Sequence, residues 1–133
     1  MRYLIDTNIC IYLMNQHPLE LIVRFKGLPI NSVGVSSITV SELQFGVAKS
    51  KQIIENQQRL NEFLLPFSIL PYGVTETRIY GQIRAKLESM GKLIGPLDML
   101  IAAHAKSLNL VLVTNNDKEF IRVEGLKVEN WLG

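Results

Sequence analysis

The stretch Arg2-Tyr3-Leu4-Ile5-Asp6-Thr7-Asn8-Ile9-Cys10-Ile11-Tyr12-Leu13-Met14 decides how the rest of the chain is read. Its first part is a short apolar run that stops at a carboxylate, as in a strand buried on both faces of a parallel sheet. Its second part, TNICIYLM, has apolar residues at helical spacing, with Thr7 or Asn8 available as N-cap. A strand passing straight into a helix is the repeating unit of α/β proteins.

The same alternation continues outward from that stretch. LELIVRFKG (19–27) reads as a helix closed by Gly27, and VGVSSI (33–38) as a strand. TVSELQFGVAKS (39–50) begins with Thr39 and continues as helix, and residues 51–65 form an amphipathic helix stopped by Pro66. FSILPY (67–72) is a strand, and VTETRIYGQIRAKLESMG (74–91) is a long helix closed by Gly91. KLIGP (92–96) is a loop whose Pro96 suits the first turn of the helix LDMLIAAHAKSLN (97–109). LVLVT (110–114) is the clearest strand, NNDKEF (115–120) reads as a loop, and KVENW (127–131) as a short last strand. This order predicts an α/β domain, a central mostly parallel sheet flanked by helices. With no repeat or linker, residues 1–133 are expected to form one domain.

Hydrophobic residues make up 47% of the 133, enough for one packed core. No apolar run is long enough to span a membrane, and the N-terminus lacks the apolar core of a signal peptide. With one cysteine there is no disulfide framework, and a cytoplasmic location is expected. Cys10, among Ile9, Ile11 and Leu13, reads as a small core residue. The formal charge of +2 is too weak to announce a nucleic-acid binder by itself.

The acidic residues stand in telling places. In open α/β sheets ligands bind beyond the carboxyl ends of the strands. Asp6 ends the first strand, and Thr114-Asn115-Asn116-Asp117 follows LVLVT. Glu42 and Asp98 are expected in the first turns of their helices, which open onto the same edge. Each has a local explanation as well. Glu42 completes a capping box with Thr39, and Asp98 suits a helix dipole after Pro96. Asp6 is harder to explain locally, since Thr7 or Asn8 can cap its helix.

Carboxylates brought together repel: at about 5 Å the interaction is roughly 3 kcal/mol for an effective dielectric near 20. One must stay protonated or a cation must neutralise them. An all-oxygen set suits a hard ion, so Mg²⁺ is expected, with Mn²⁺ substituting. Zinc is disfavoured, because His17 and His104 have no Cys or His at ligand spacing. His17 reads as surface loop and His104 as an ordinary helix residue. Nucleophile elbows, Walker loops and dinucleotide fingerprints are absent from the sequence. Thr7 and Asn8 are candidates for orienting Asp6 or a bound water, with helix capping as the alternative.

LIDTN, SELQFG, GPLDMLIAAHA and VTNNDKEF before EGLKVENW together resemble PIN-domain proteins, and within them the VapC toxins of type II toxin–antitoxin systems. The resemblance runs in order along essentially the whole chain. It implies a PIN-like three-layer α/β sandwich and a Mg²⁺- or Mn²⁺-dependent endoribonuclease that leaves a 5′-phosphate and a 3′-hydroxyl. By resemblance Asp6, Glu42 and Asp98 are the first three catalytic acids and the metal ligands. For the fourth, Glu119 is favoured, then Asp117, with Asn116 and Thr114 as polar neighbours. The resemblance further implies a VapB-type antitoxin, through which the pair contacts operator DNA, and a homodimer. A tRNA substrate, specifically the initiator anticodon stem-loop, is the expected target.

Without Asp6, Glu42, Asp98 and Glu119 the chain carries eight acids against 14 basic residues, so the rest of the surface is basic. That suits a polyanion, with Lys49, Lys51, Arg84, Lys86 and Lys92 as candidate phosphate contacts. Ile11, Leu60 and Phe63 are candidates for a groove or dimer interface, or for core. The rival readings are a non-catalytic binding module, in which the acids merely cap helices, and a phosphotransfer domain. The second needs a basic residue near the site, and after LVLVT the one convincing lysine is Lys118.

Overall fold

A computed structural model describes residues 1–29 and 31–132. Its elements run β1 (Tyr3–Ile5), α1 (Thr7–Met14), α2 (Leu19–Lys26), β2 (Val33–Ser36), α3 (Ser37–Ala48), α4 (Ile53–Leu64), β3 (Ser68–Leu70), α5 (Val74–Ser89), α6 (Pro96–Ser107), β4 (Val111–Val113), α7 (Asp117–Phe120) and β5 (Val128–Glu129). The five strands form one sheet in the order β3-β2-β1-β4-β5. Every pairing is parallel, so the mostly parallel sheet of the sequence reading is wholly parallel.

The three residues of β1 occupy the middle of the sheet. Tyr3 is in register with Val33 on one side and Val111 on the other. Alternate residues then feed opposite layers, as the pleat requires. Ile5 packs with Ile9, Leu21, Leu43 and Leu60, beneath the α1–α4 side. Leu4 and Leu112 pack with Ile83, Leu87, Met99 and Ala102, beneath α5 and α6. Leu4 and Ile5 are fully buried, and each such side chain contributes about 1.5–3 kcal/mol by leaving water. Two apolar layers around one sheet are what hold the strand ends, and the acids beyond them, in place.

Gly34 in β2 has a steric reason. A Cβ there would stand 2.8 Å from Leu70 Cδ1 and from Met1 Sδ, so a larger residue would push β3 off its neighbour. Gly91, at φ +65, follows the C-cap of α5 in the left-handed conformation that a glycine adopts without strain.

Several local expectations are corrected. Helix α1 is capped by Asp6 itself, not by Thr7 or Asn8. Helix α3 starts earlier than expected, because Ser36 caps it through a bond from Ile38 N. Thr39 is therefore buried inside the helix, and Glu42 lies in the second turn and takes no part in a capping box. NNDKEF is not all loop: Asp117–Phe120 forms a helical turn, with Phe120 fully buried as its anchor. His104 is fully buried. Leu60 is core, Phe63 is half-buried against it, and Ile11 is exposed. Among the described residues no helix is long and apolar enough to cross a membrane.

Candidate active site

The chain lays β1, β2 and β3 outward in one direction, and β4 and β5 in the other. The order reverses between β1 and β4, and at such a switch point the loops beyond the strands diverge to leave a crevice. Asp6 leaves β1 on one side of it. The Thr114–Glu119 segment leaves β4 on the other.

Asp6 is 6% exposed. Its Oδ1 accepts a bond from Ile9 N at 3.0 Å, so one oxygen holds the helix start. Burial raises its pKa and Glu42 adds to the shift. The Thr114 side chain and the Ile9 and Asn8 amides pull the other way. The contribution of Asn8 is thus its backbone, and its side chain is exposed.

Glu42 reaches the crevice from α3 and is half-buried. The Thr7 hydroxyl donates to its Oε1 at 2.8 Å. Thr39 Oγ1 stands 3.4 Å from Thr7 Oγ1. A short relay of hydroxyls therefore fixes the Glu42 carboxylate from the segment that carries Asp6. Thr7 acts on Glu42 rather than on Asp6.

Asp98 lies in the first turn of α6. Its pKa is raised to about 6, first by burial and then by the charges of Asp6, Glu119 and Glu42. Four acids on four segments thus share one field. No Lys, Arg or His forms an ion pair with any of them among the described residues. Carboxylates that share a field without a basic partner have the oxygen chemistry a hard cation takes. They are not drawn into one coordination sphere: no three described His, Cys, Asp or Glu side chains stand close enough to hold an ion together.

The two contenders for the fourth acid are oriented differently. Glu119 accepts from Asn116 Nδ2 at 2.9 Å and contributes to the field on Asp98. Asp117 accepts from Asn130 Nδ2 at 3.2 Å and is not among the charges that raise Asp98. Asn116 N in turn donates to Thr114 Oγ1 at 2.9 Å, and Asn115 Nδ2 to the Tyr12 hydroxyl at 2.9 Å. The loop after β4 is thereby tied to α1.

The basic candidates do not gather at the acids. All five are exposed. Lys49 lies over the Phe45 ring, Arg84 donates to the Tyr80 hydroxyl, and Lys86 is paired with Glu124. Sequence reasoning missed Ser36 and His104, which join the helices bearing Glu42 and Asp98 through a buried 2.7 Å contact. A histidine inside the apolar run LIAAHA was the available signal. Asn130, which turns Asp117 aside, carried no local signal at all.

Comparison with known proteins gives a consistent picture. The PIN domain family model matches residues 3–126. The chain is 44% identical to ribonuclease VapC2 of Rickettsia felis, over 98% of both chains. It is 38% identical to the tRNA(fMet)-specific endonuclease VapC of Shigella flexneri, again over 98% of both. Its fold matches a chain in the crystal structure of VapBC2 from Rickettsia felis bound to a promoter DNA fragment. There the TM-score is 0.92 at 44% identity, covering 98% of this chain and 99% of that one.

Proposed function

The chain belongs to the PIN-domain family and is a VapC-type ribonuclease toxin of a toxin–antitoxin system, and on that premise we propose that Asp6, Glu42, Asp98 and Glu119 hydrolyse RNA phosphodiesters with Mg²⁺ or Mn²⁺. The observation that carries the assignment is the shared field: three other acids act on Asp98, and no base stands among them. Asp6, Asp98 and Glu42 would hold the cation, with Glu119 completing the acidic wall. When bound, a hard divalent cation supplies Lewis acidity toward the phosphodiester and makes water more acidic.

The remaining work falls to the chain's own groups. Asp6 is fixed through Oδ1 to Ile9 N. Glu42, aligned by Thr7, would either complete the ligand set or accept a proton from water. Asn116 keeps Glu119 turned inward. Attack by water on phosphorus leaves a 5′-phosphate and a 3′-hydroxyl.

We assign the substrate to structured tRNA, supported by the tRNA(fMet) specificity of the Shigella flexneri relative, and propose the initiator anticodon stem-loop as target. The partner is a VapB-type antitoxin. A groove of about 210 Å³ is lined by Ile11, Met14, Leu43, Val47 and Arg59 together with Glu42. An amphipathic segment lying there would touch Glu42. DNA would be contacted through that partner, and a homodimer is the proposed assembly.

One experiment tests the reading. Purified protein is given tRNA with Mg²⁺, with EDTA, and as Asp98→Asn with Mg²⁺. Cleavage is expected in the first arm alone, and equal cleavage in all three would overturn the assignment. Sequencing of RNA ends after brief induction identifies the target, and scattered ends outside tRNA would reject the anticodon stem-loop.

A further inference from the structure

Between α5, the C-terminal part of α6 and the segment after α7 lies a small pocket of about 110 Å³ with a different character. Its floor is apolar: Ile83, Leu87 and Val123 are all buried. Lys86, Lys106 and Arg122 stand around its rim with a single acid, Glu124. Three cations against one carboxylate leave an excess of positive charge. The volume is well below the roughly 300–1,000 Å³ of sites for drug-sized ligands, so the pocket suits a small group.

The cations are held in a telling way. Lys106 Nζ donates to the Glu124 backbone carbonyl at 2.8 Å, and Arg122 Nη1 to the Leu93 carbonyl at 3.3 Å. A neutral carbonyl fixes a cation's position without cancelling its charge, and each side chain keeps further donors free. Gly125, at φ +79, lets the backbone turn so closely over Lys106 that a Cβ there would lie 3.4 Å from its Cε. Only Lys86 is neutralised, by the exposed Glu124 carboxylate. That carboxylate stands where an anionic ligand would be received.

The pocket is coupled to the acids through short lengths of chain. Arg122 N donates to the Glu119 carbonyl at 3.1 Å, one helical turn away. Leu93, which receives Arg122, belongs to the loop that leads into Asp98. We propose that Lys86, Lys106 and Arg122 form a subsite for one backbone phosphate of the RNA, at a distance from the bond that is cut, with the Glu124 carboxylate as the group this phosphate displaces. The proposal rests on RNA being the substrate. It gives the basic excess of the surface a specific location, and of the five sequence candidates it retains Lys86.

The test measures binding and cleavage separately. Anisotropy of a fluorescein-labelled anticodon stem-loop RNA is followed in EDTA across a range of NaCl, for the wild type, Lys106→Gln, Arg122→Gln and Glu124→Gln. Loss of one charge-assisted phosphate bond should weaken binding about tenfold. It should also lower the slope of log affinity against log salt by about 0.7–0.9. Glu124→Gln should act oppositely and tighten binding, an effect that damaged folding cannot imitate. All three variants binding within about twofold of the wild type at every salt concentration would overturn the subsite. If the variants show these binding changes but the wild-type protein cuts no RNA when Mg²⁺ is added, the result would count against the nuclease assignment while supporting the subsite.

Discussion

His104 Nδ1 lies 2.7 Å from Ser36 Oγ in a fully buried contact that joins α6, the carrier of Asp98, to the N-cap of α3, the carrier of Glu42. The other ring nitrogen, Nε2, has no hydrogen-bond partner among the described residues. Tyr72 packs edge-on against the ring at 5.5 Å. Burial lowers the His104 pKa, against the opposite pulls of Glu76 and the Pro71 carbonyl.

The first prediction follows from the direction of that shift. The unfolded chain binds a proton at His104 more readily than the folded one, so folding favours the neutral ring. The resulting stability is present above the ordinary pKa of about 6.5 and is lost as pH falls below it. Urea midpoints measured between pH 7.5 and 5 should show His104→Asn losing less on acidification than the wild type. Parallel curves would reject the role.

Asp98 should behave with the opposite sign. Its folded pKa of about 6 exceeds the model-peptide value of 3.8, so the folded state gains protons first as pH falls. Stability from this group rises between those two values. Asp98→Asn removes the repulsion permanently, and should abolish cleavage while raising stability by about 1 kcal/mol after allowance for solvent screening. A lower denaturation midpoint for Asp98→Asn at pH 7.5 would contradict the repulsive cluster.

Thr7→Val removes the hydroxyl that holds Glu42 and little else. A loss of about tenfold in kcat is expected, the equivalent of one hydrogen bond to a charged group. Thr7→Ser should recover most of it. If valine and serine are equally slow, the hydroxyl is not what matters.

Glu119→Gln and Asp117→Asn separate the two contenders for the fourth acid. The first should cost about a hundredfold in cleavage, as loss of an electrostatic participant does. The second should leave cleavage near wild type, since Asp117 is bonded to Asn130. The reverse ranking would move the fourth acid to Asp117.

Layer architecture was legible because it rests on periodicity. Short apolar runs ending at Asp6 and Thr114, with helices between them, specify strands and crossovers without reference to distant residues. Asp98 was legible for the same reason, through Pro96 at the helix start. Positions decided by tertiary contacts were not. Ser36 begins α3 early because its hydroxyl serves both Ile38 N and the distant His104, and that moved Glu42 out of its expected capping role. The turn Asp117–Phe120 is helical because Phe120 is drawn into the core, a packing effect invisible in a polar hexapeptide. Basic residues were the least legible. Lys106 and Arg122 became notable only once the Gly125 turn and the Leu93 carbonyl were seen to hold them.

The pairing of Tyr3 with Val111 joins residues roughly a hundred positions apart. High contact order of this kind slows folding, because the loop must close before its contacts reward the closure. Until β4 docks against β1, Asp6 stands apart from the acids that follow on α6 and α7. A chain in which β4 is undocked therefore lacks the proposed acidic cluster, which that docking completes. For an enzyme that attacks the RNA of its own host, the topology itself imposes a latency between having a chain and having a weapon.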